Sequence, residues 1–214
     1  MIDGRLSENS AATEAPAPRR EPVQKRSRER YERMLEAAKE LITQGGSDAM
    51  KMSDIAARAG VPIGSLYQFF PDKASIVRVL AERTHAESRQ CIEDGLAGAR
   101  EMMALRSSFA DLIDEYYAIF LAEPVMRDIW GAMQTDKSLA ALELAESRRN
   151  GALLAEAIMT LKPDADAETV STSALLIMHL GEATMRMALQ MPPDEGRTIV
   201  DGFKRMADRE LSAL

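Results

Sequence analysis

The segment SDIAARAGVPIGSLYQFFPDK, residues 53–73, contains two short helical patterns on either side of a glycine. Apolar residues recur on one side of residues 53–59 and again of residues 63–69, which predicts two helices of about seven residues. Gly60 lies between them and can adopt the left-handed conformation that a tight turn between helices needs. Pro62 stands at the start of the second helix, where a missing N–H is tolerated. Two short helices joined in this way form a helix-turn-helix.

The second helix of the segment presents two faces with different chemistry. Apolar residues supply the packing surface of the pair: Ile55, Ala56, Ala59, Val61, Leu66 and Phe70. On the opposite face, Gly64 lets the backbone approach a partner closely, and Gln68 can form a bidentate pair with an adenine edge. Ser65 and Tyr67 can bond to bases or phosphates. Lys73 adds its charge to the N-terminal dipole of the next helix, which favours a phosphate.

The charge distribution also favours DNA as the partner of this end of the chain. Residues 19–83 hold 13 Lys and Arg against 9 Asp and Glu, whereas residues 84–214 hold 13 against 22. A basic module on an acidic body is typical of a protein that binds phosphates with one end only. The predicted DNA contacts are Pro62, Ile63, Gly64, Ser65, Tyr67, Gln68 and Lys73, together with Lys25, Arg26 and Arg28 of a flexible basic arm.

Helical patterns cover the rest of the chain and no strand-like alternation competes with them, so the predicted fold class is all-α. A first helix is predicted over residues 27–44, with Ser27 as its cap and Gly45 and Gly46 as its end. A long helix is predicted over residues 73–98. Five further segments carry the helical pattern, which gives about nine helices: residues 107–124, 125–134, 138–161, 167–190 and 194–214.

The opening segment resembles the DNA-binding signature of the TetR family of bacterial one-component regulators. The shared motifs are Asp-Ile-Ala, Ala-Gly-Val, Gly-Ser-Leu-Tyr and Phe-Pro-Asp-Lys, and RSRERYERMLEAAKELITQGG is similar to the family's first helix. The resemblance covers about residues 24–80. One position departs from it, because Lys51 stands where the family usually has a threonine that caps the second helix. Ser47 or Ser53 is expected to take that role.

The resemblance implies three N-terminal helices for DNA and about six C-terminal helices for a ligand pocket and a dimer interface. The implied division is a disordered tail over residues 1–24, a helix-turn-helix domain over residues 25–72 and a ligand-binding and dimerisation domain over residues 73–214. A homodimer would repress transcription by binding a palindromic operator in double-stranded DNA. A small-molecule effector would release the DNA by tilting the long helix that begins near Lys73. An activator, or a helical protein-binding module without an effector, stays open as the alternative.

No motif identifies the effector, so the pocket candidates are aromatic, methionine and polar residues of the C-terminal helices. They are Tyr116, Tyr117, Phe120, Trp130, Met133, Met159, Met178, His179 and Arg186. This mostly apolar set predicts a mainly hydrophobic effector of modest size. For His179 the alternative role is that of an internally hydrogen-bonded core residue. The resemblance also implies a four-helix bundle between subunits, for which we predict Met185, Leu189, Ile199, Phe203 and Met206.

The sequence argues against an enzyme, because it contains no local pair of nucleophile and base. Its two histidines and one cysteine are far apart, so we expect no metal site and no other cofactor. The N-terminus lacks the apolar stretch of a signal peptide, and no apolar run approaches the length of a membrane span. We therefore expect a cytoplasmic protein that does not enter a membrane.

Overall fold

The structure is a computed structural model that describes residues 25–122, 124–135 and 137–214, with no side-chain detail at positions 124, 132–135 and 137–140. The predicted tail, residues 1–24, lies outside the described residues. Nine helices and no strand make up the described ranges: α1 (Lys25–Ala49), α2 (Met52–Ala59), α3 (Ile63–Phe69), α4 (Lys73–Ala97), α5 (Met102–Ala122), α6 (Pro124–Thr135), α7 (Lys137–Leu161), α8 (Ala167–Ala188) and α9 (Pro193–Ala213). The all-α prediction is confirmed.

Helix α1 is longer at both ends than the sequence predicts. It begins at Lys25, so Ser27 lies inside the first turn and does not cap the helix. The backbone leaves helical geometry at Gly46, where φ is 83° and ψ is 160°, and helical turns then resume as far as Ala49. The glycine pair therefore interrupts α1 at the predicted place but does not end it.

The turn between α2 and α3 has the predicted geometry. Gly60 adopts φ 65° and ψ 40°, and its N–H donates to the carbonyls of Ala56 and Ala57. Because a side chain is strained at such a φ, the position favours glycine. Helix α3 begins directly after Pro62 and spans the predicted residues.

The start of α2 differs from the expectation, because neither serine replaces the missing threonine cap. Lys51 is the N-cap residue and its side chain makes no capping hydrogen bond. The Ser53 hydroxyl donates to the carboxylate of its neighbour Asp54 at 3.1 Å. Ser47 lies within α1, where its N–H donates to Asp128 at 2.5 Å. Helix α2 is therefore held mainly by its apolar face.

The N-terminal core unites α1, α2, α3 and the first half of α4. Ile55, Leu66 and Phe70 are fully buried. Tyr31 of α1 stacks on Phe70 with ring centroids 5.0 Å apart and meets Phe69 edge-on at 5.8 Å. The predicted packing surface of the helix-turn-helix is thus confirmed.

Helix α4 begins with a capping box and then enters this core. The Ser75 N–H donates to the Asp72 carboxylate at 2.8 Å, and the Asp72 N–H faces the Ser75 hydroxyl at 3.5 Å. Such reciprocal bonds fix a helix start. The next turns are buried along one side: Ile76, Val77, Val79, Leu80 and Ala81.

The C-terminal helices pack around α7 and α8, which contact each other along their length. At their crossing, a Cβ on Gly151 would lie 2.9 Å from the Cα of Leu175. Glycine is therefore required there for the close approach of the two backbones. No helix of the described ranges combines the length and apolarity needed to cross a membrane.

Two of the residues predicted for the dimer interface belong to the core of the subunit. Met185 is fully buried and Phe203 is 6% exposed within a single chain. The Phe203 ring lies 3.3 Å from the position that a Cβ on Gly181 would take, so it fills the space between α8 and α9. Their assignment to an intersubunit surface was wrong, because helical periodicity alone does not tell an inward face from an outward one.

Candidate DNA-binding surface and ligand cavity

The outward face of α3 carries the residues that the sequence predicts for DNA. Ile63 and Tyr67 are 44% and 45% exposed, although both are large and partly apolar. Pro62, Gly64 and Gln68 are exposed as well, and Ser65 is half-buried. Since α3 turns its opposite side into the core, this face is available to a partner. The individual DNA contacts remain predictions.

Lys73 has a structural partner in addition to its predicted role. Its Nζ donates to the backbone carbonyls of Ser47 at 3.4 Å and Asp48 at 3.1 Å. Those carbonyls belong to the last turns of α1, where a cation compensates the negative end of a helix. A phosphate contact by Lys73 stays a prediction. The ammonium already joins the start of α4 to the end of α1.

The basic residues that precede α3 in sequence lie on a helix. Lys25, Arg26 and Arg28 are exposed on the first turns of α1. The part of the predicted flexible arm that contains them is therefore helical. Whether they reach DNA stays a prediction.

A cavity of about 430 Å³ lies between α4, α5, α6, α7 and α8, with α1 at its edge. That volume is in the range of pockets for small organic ligands. Its wall is mostly apolar, with a few polar groups: Lys39, Thr84, Glu87, Ser88, Cys91, Ile92, Phe109, Leu112, Ile113, Glu115, Tyr116, Ile119, Val125, Met126, Ile129, Asn150, Ile177, Met178, Gly181, Glu182 and Met185.

Two of the predicted pocket residues, Tyr116 and Met178, lie in this wall. Three aromatic candidates stand behind it. Phe120 and Trp130 stack on each other with centroids 3.9 Å apart, and Trp130 meets the Tyr116 ring edge-on at 6.1 Å. Tyr117 is 1% exposed, and its ring lies under Arg197. These large rings serve as core behind the cavity, which is their commonest use.

The other pocket candidates lie away from the cavity. His179 approaches the Ser147 hydroxyl, 3.0 Å from its Nδ1, which fits the alternative of an internally bonded histidine. Arg186 forms an ion pair with Glu143. Met159 is half-buried and packs against the apolar core. The side chain of Met133 lies outside the described part of the structure.

Sequence reasoning missed the contribution of α4 to the cavity. Thr84, Glu87, Ser88, Cys91 and Ile92 line it from one side of that helix. Their spacing of three and four residues is that of a helix face, so a signal was present. The face mixes apolar and polar residues and contains no aromatic side chain, so the prediction, which favoured aromatic residues, did not include it.

A layer of buried polar groups on α7 reaches the cavity through Asn150. Four residues share one face of the helix and are all buried: Glu143, Glu146, Ser147 and Asn150. Both carboxylates have cationic partners: Glu143 pairs with Arg186 of α8, and Glu146 pairs with Arg89 of α4 and Arg149 of α7. Buried charges are stable only when compensated in this way.

Glu182 adjoins this layer and faces the cavity. Its Oε2 accepts a hydrogen bond from the Ser147 hydroxyl at 2.9 Å. The pKa of Glu182 is raised to about 7, mainly by burial and also by the nearby Glu143 and Glu146 carboxylates, while the Ser147 bond and Arg186 partly oppose this rise. The cavity therefore contains a carboxyl group that titrates near neutral pH.

His85 of α4 is a second buried titratable group beside the layer. Burial lowers its pKa, although the Glu146 and Glu143 carboxylates act in the opposite direction. Its Nδ1 has no hydrogen-bond partner among the described groups. We therefore expect a neutral imidazole at physiological pH.

Two family profiles match this chain. Residues 34–80 match "Bacterial regulatory proteins, tetR family", and residues 103–214 match "Tetracyclin repressor-like, C-terminal domain". The second match alone covers more than half of the chain. The protein belongs to the TetR family. Family membership confirms the prediction of a helix-turn-helix regulator rather than an enzyme.

Individual relatives agree with this assignment over parts of the chain. The uncharacterized HTH-type transcriptional regulator YvdT of Bacillus subtilis is 31% identical over 90 residues, 42% of this chain and 45% of YvdT. The HTH-type transcriptional repressor KstR of Mycolicibacterium smegmatis is 40% identical over 50 residues, 23% of this chain and 24% of KstR. This TetR-family chain thus spans less than half the length of these curated relatives.

Solved structures share the fold over most of the chain. SmeT, crystallised as a SmeT–triclosan complex, superposes with a TM-score of 0.64 at 19% identity, over 87% of this chain and 91% of SmeT. At that identity the likeness concerns the fold alone.

The exposed Gln68 side chain on α3 gives the first test of the DNA-binding surface. We expect Gln68→Ala to reduce discrimination at one base pair of each half-site by about 1–3 kcal/mol, because a bidentate contact to a base edge is lost. The free energy of unfolding should stay within about 0.5 kcal/mol of the wild type, since the side chain is exposed. Fluorescence anisotropy on a set of single-base operator variants measures the first effect, and urea unfolding the second.

The matched control is Gln90→Ala, which removes the same side chain from the exposed side of α4. It should leave the base preference unchanged. An equal loss of affinity by Gln68→Ala on operator and unrelated DNA would show that Gln68 contacts the backbone, and the base-reading role would be wrong.

Proposed function

We propose that this TetR-family protein is a transcriptional repressor that binds a palindromic operator as a homodimer and leaves it when a small, mainly hydrophobic effector fills the cavity. The observation that carries the proposal is that two helices, α4 and α6, link the cavity to the DNA-binding domain. Helix α4 runs from one to the other, and α6 lines the cavity and contacts α1. An effector-free helical module would need no such cavity, which counts against that alternative.

The exposed apolar residues of α8 and α9 support a homodimer. Leu176, Leu180 and Met187 on α8 are 53%, 45% and 44% exposed, and Met206 on α9 is 63% exposed. Their spacing on α8 places them along one side of the helix. Contiguous apolar surface of this kind marks an interaction site. A twofold interface between the last two helices of each subunit would cover it and place two α3 helices on one DNA molecule.

A charged residue in this surface should separate the subunits. We expect Leu180→Glu and Met206→Glu each to give monomers, because two carboxylates would face each other across a twofold interface without compensation. Operator affinity should fall with dimerisation, since one α3 helix reads only one half-site. Analytical ultracentrifugation at micromolar concentration measures the first effect and anisotropy the second.

Leu121→Glu is the control, because Leu121 is an exposed leucine of α5, 38% exposed, outside the α8 and α9 surface. It should remain dimeric. A wild-type protein that sediments as a monomer at micromolar concentration would contradict the homodimer.

The proposed route from cavity to DNA runs partly through α6. Val125, Met126 and Ile129 of this helix line the cavity, and Asp128 accepts a hydrogen bond from the Ser47 N–H near the end of α1. A ligand that displaces α6 therefore acts on α1 directly, in addition to its action on α4. Release of DNA requires that the ligand bind the displaced arrangement more tightly than the DNA-bound one.

Removal of the Asp128 carboxylate should weaken this coupling while leaving the cavity intact. We expect Asp128→Ala to bind an effector within about twofold of the wild type, whereas the factor by which that effector lowers operator affinity falls from the typical 5- to 150-fold toward one. Effectors are first selected from hydrophobic compounds by the change they cause in emission of Trp130, which stands one layer behind the cavity wall. Anisotropy of labelled operator then measures release.

Asp128→Asn is the matched control, because the amide keeps an oxygen that can accept the Ser47 bond. It should retain more of the coupling than Asp128→Ala. If Asp128→Ala released operator DNA as completely as the wild type, the α6 route would be excluded and α4 alone would carry the signal. If no compound that fills the cavity changed operator affinity in the wild type, the proposed function itself would fail.

A further inference from the structure

We propose that the effector carries a protonated amine on an apolar body, and that Glu182 and Asn150 bind the amine at the polar end of the cavity. The inference rests on the proposed function in so far as the cavity is the effector site. It adds the chemical class of the ligand and the residues that select it.

Asn150 supplies the first observation. It lines the cavity and is 4% exposed, and its Oδ1 has no hydrogen-bond partner among the described groups. Buried polar atoms are almost always hydrogen-bonded, because an unpaired one loses its bonds to water without compensation. An acceptor of this kind in a cavity wall points to a ligand that donates.

Glu182 supplies the second observation, because this carboxylate of α8 adjoins the polar layer and has no ion pair among the described residues. The cations around it are taken: Arg186 pairs with Glu143, and Arg89 pairs with Glu146. The only hydrogen bond to Glu182 comes from the uncharged hydroxyl of Ser147, at its Oε2, in the part of the chain that the structure describes. Its Oε1 is free to accept from a ligand. A half-buried carboxylate at the cavity wall without a paired cation favours a ligand that supplies one.

The charges of the wall favour a cation over an anion. Glu87, Glu115 and Glu182 line the cavity against a single ammonium, that of the exposed Lys39 at its edge. A cleft with charges mostly of one sign attracts the opposite charge. A carboxylate-headed ligand would therefore be repelled at the end where the unpaired acceptors lie. The remaining wall is apolar and fits a hydrocarbon or aromatic body.

Proton binding to Glu182 gives the proposal a pH signature. An amine requires the ionised carboxylate, and the pKa of Glu182 is raised to about 7 by its burial. The groups that face it are Glu143 and Glu146 of α7, Arg186 on its own helix and Tyr116 of α5, and the ring of His179 shares the Ser147 hydroxyl with it. Amine binding should therefore tighten roughly tenfold between about pH 6 and pH 8, whereas an alcohol should show no such gain.

The test compares decylamine, decanol and decanoate, which share one apolar chain and differ in the head group. Isothermal titration calorimetry on the full-length protein, below the concentration at which the ligands form micelles, measures each affinity. We expect decylamine to bind at least roughly tenfold more tightly than decanol, because a charge-assisted hydrogen bond replaces a neutral one. Decanoate should bind most weakly.

Glu182→Gln keeps the shape of the side chain and removes its charge. It should reduce decylamine affinity roughly 10- to 100-fold and abolish the pH dependence of that affinity, while decanol affinity stays within about twofold. Glu93→Gln is the matched control, because it removes the same charge from an exposed position of α4 that does not line this cavity. As a second variant, Asn150→Leu should weaken decylamine more than decanol.

Three results would overturn the amine assignment. They are decanol or decanoate affinity equal to that of decylamine, an unchanged decylamine affinity in Glu182→Gln, or a loss in Glu93→Gln as large as in Glu182→Gln. Release of operator DNA by decanol or decanoate at concentrations equal to or below those of decylamine would refute the amine class while supporting the cavity as an effector site. The proposed function is tested separately, since it requires only that some cavity ligand change operator affinity.

Discussion

The burial of one side of helix α4 in the N-terminal core is the contact on which the rest of the structure depends. Ile76 and Leu80 are buried against the helices that hold α3, the Asp72–Ser75 box fixes the start of α4, and Arg83 pairs with Glu32 of α1. The second half of the same helix forms a wall of the cavity. Helix α4 is therefore a single element that contacts both the N-terminal core and the cavity, which makes it the structural basis of the proposed coupling.

The polar layer on α7 has the complementary role of fixing the other walls. Its ion pairs connect α7 to α4 through Glu146 and Arg89, and α7 to α8 through Glu143 and Arg186. Removing one partner of such a pair leaves an uncompensated buried charge, which is strongly destabilising. Because these arginines are engaged in this way, Glu182 has no ion pair among the described residues. The ion pairs among α4, α7 and α8 therefore leave one polar end in a cavity whose wall is otherwise mostly apolar.

Sequence reasoning succeeded where local chemistry decides the structure and failed where tertiary packing does. The bounds of α3 were predicted correctly, because Gly60 and Pro62 mark a turn whatever surrounds them. The start of α1 was not, because Ser27 is a cap only when the helix begins there. Only part of the cavity wall was predicted. The face that each helix turns toward the cavity depends on how five helices pack together, which no single segment of the sequence encodes. Phe120 and Trp130 illustrate this. Both were predicted to line the cavity, but they stack on each other and belong to the core.

The central claim is that two copies of this chain hold two α3 helices at one fixed separation on DNA. Selection of bound sequences from a random DNA pool by the full-length protein tests it most directly. The account predicts an inverted repeat whose half-site centres lie about 34–36 Å apart, or a multiple of that spacing, because both helices must enter major grooves on one side of the duplex. A single asymmetric half-site, or no enriched sequence at low salt, would contradict it.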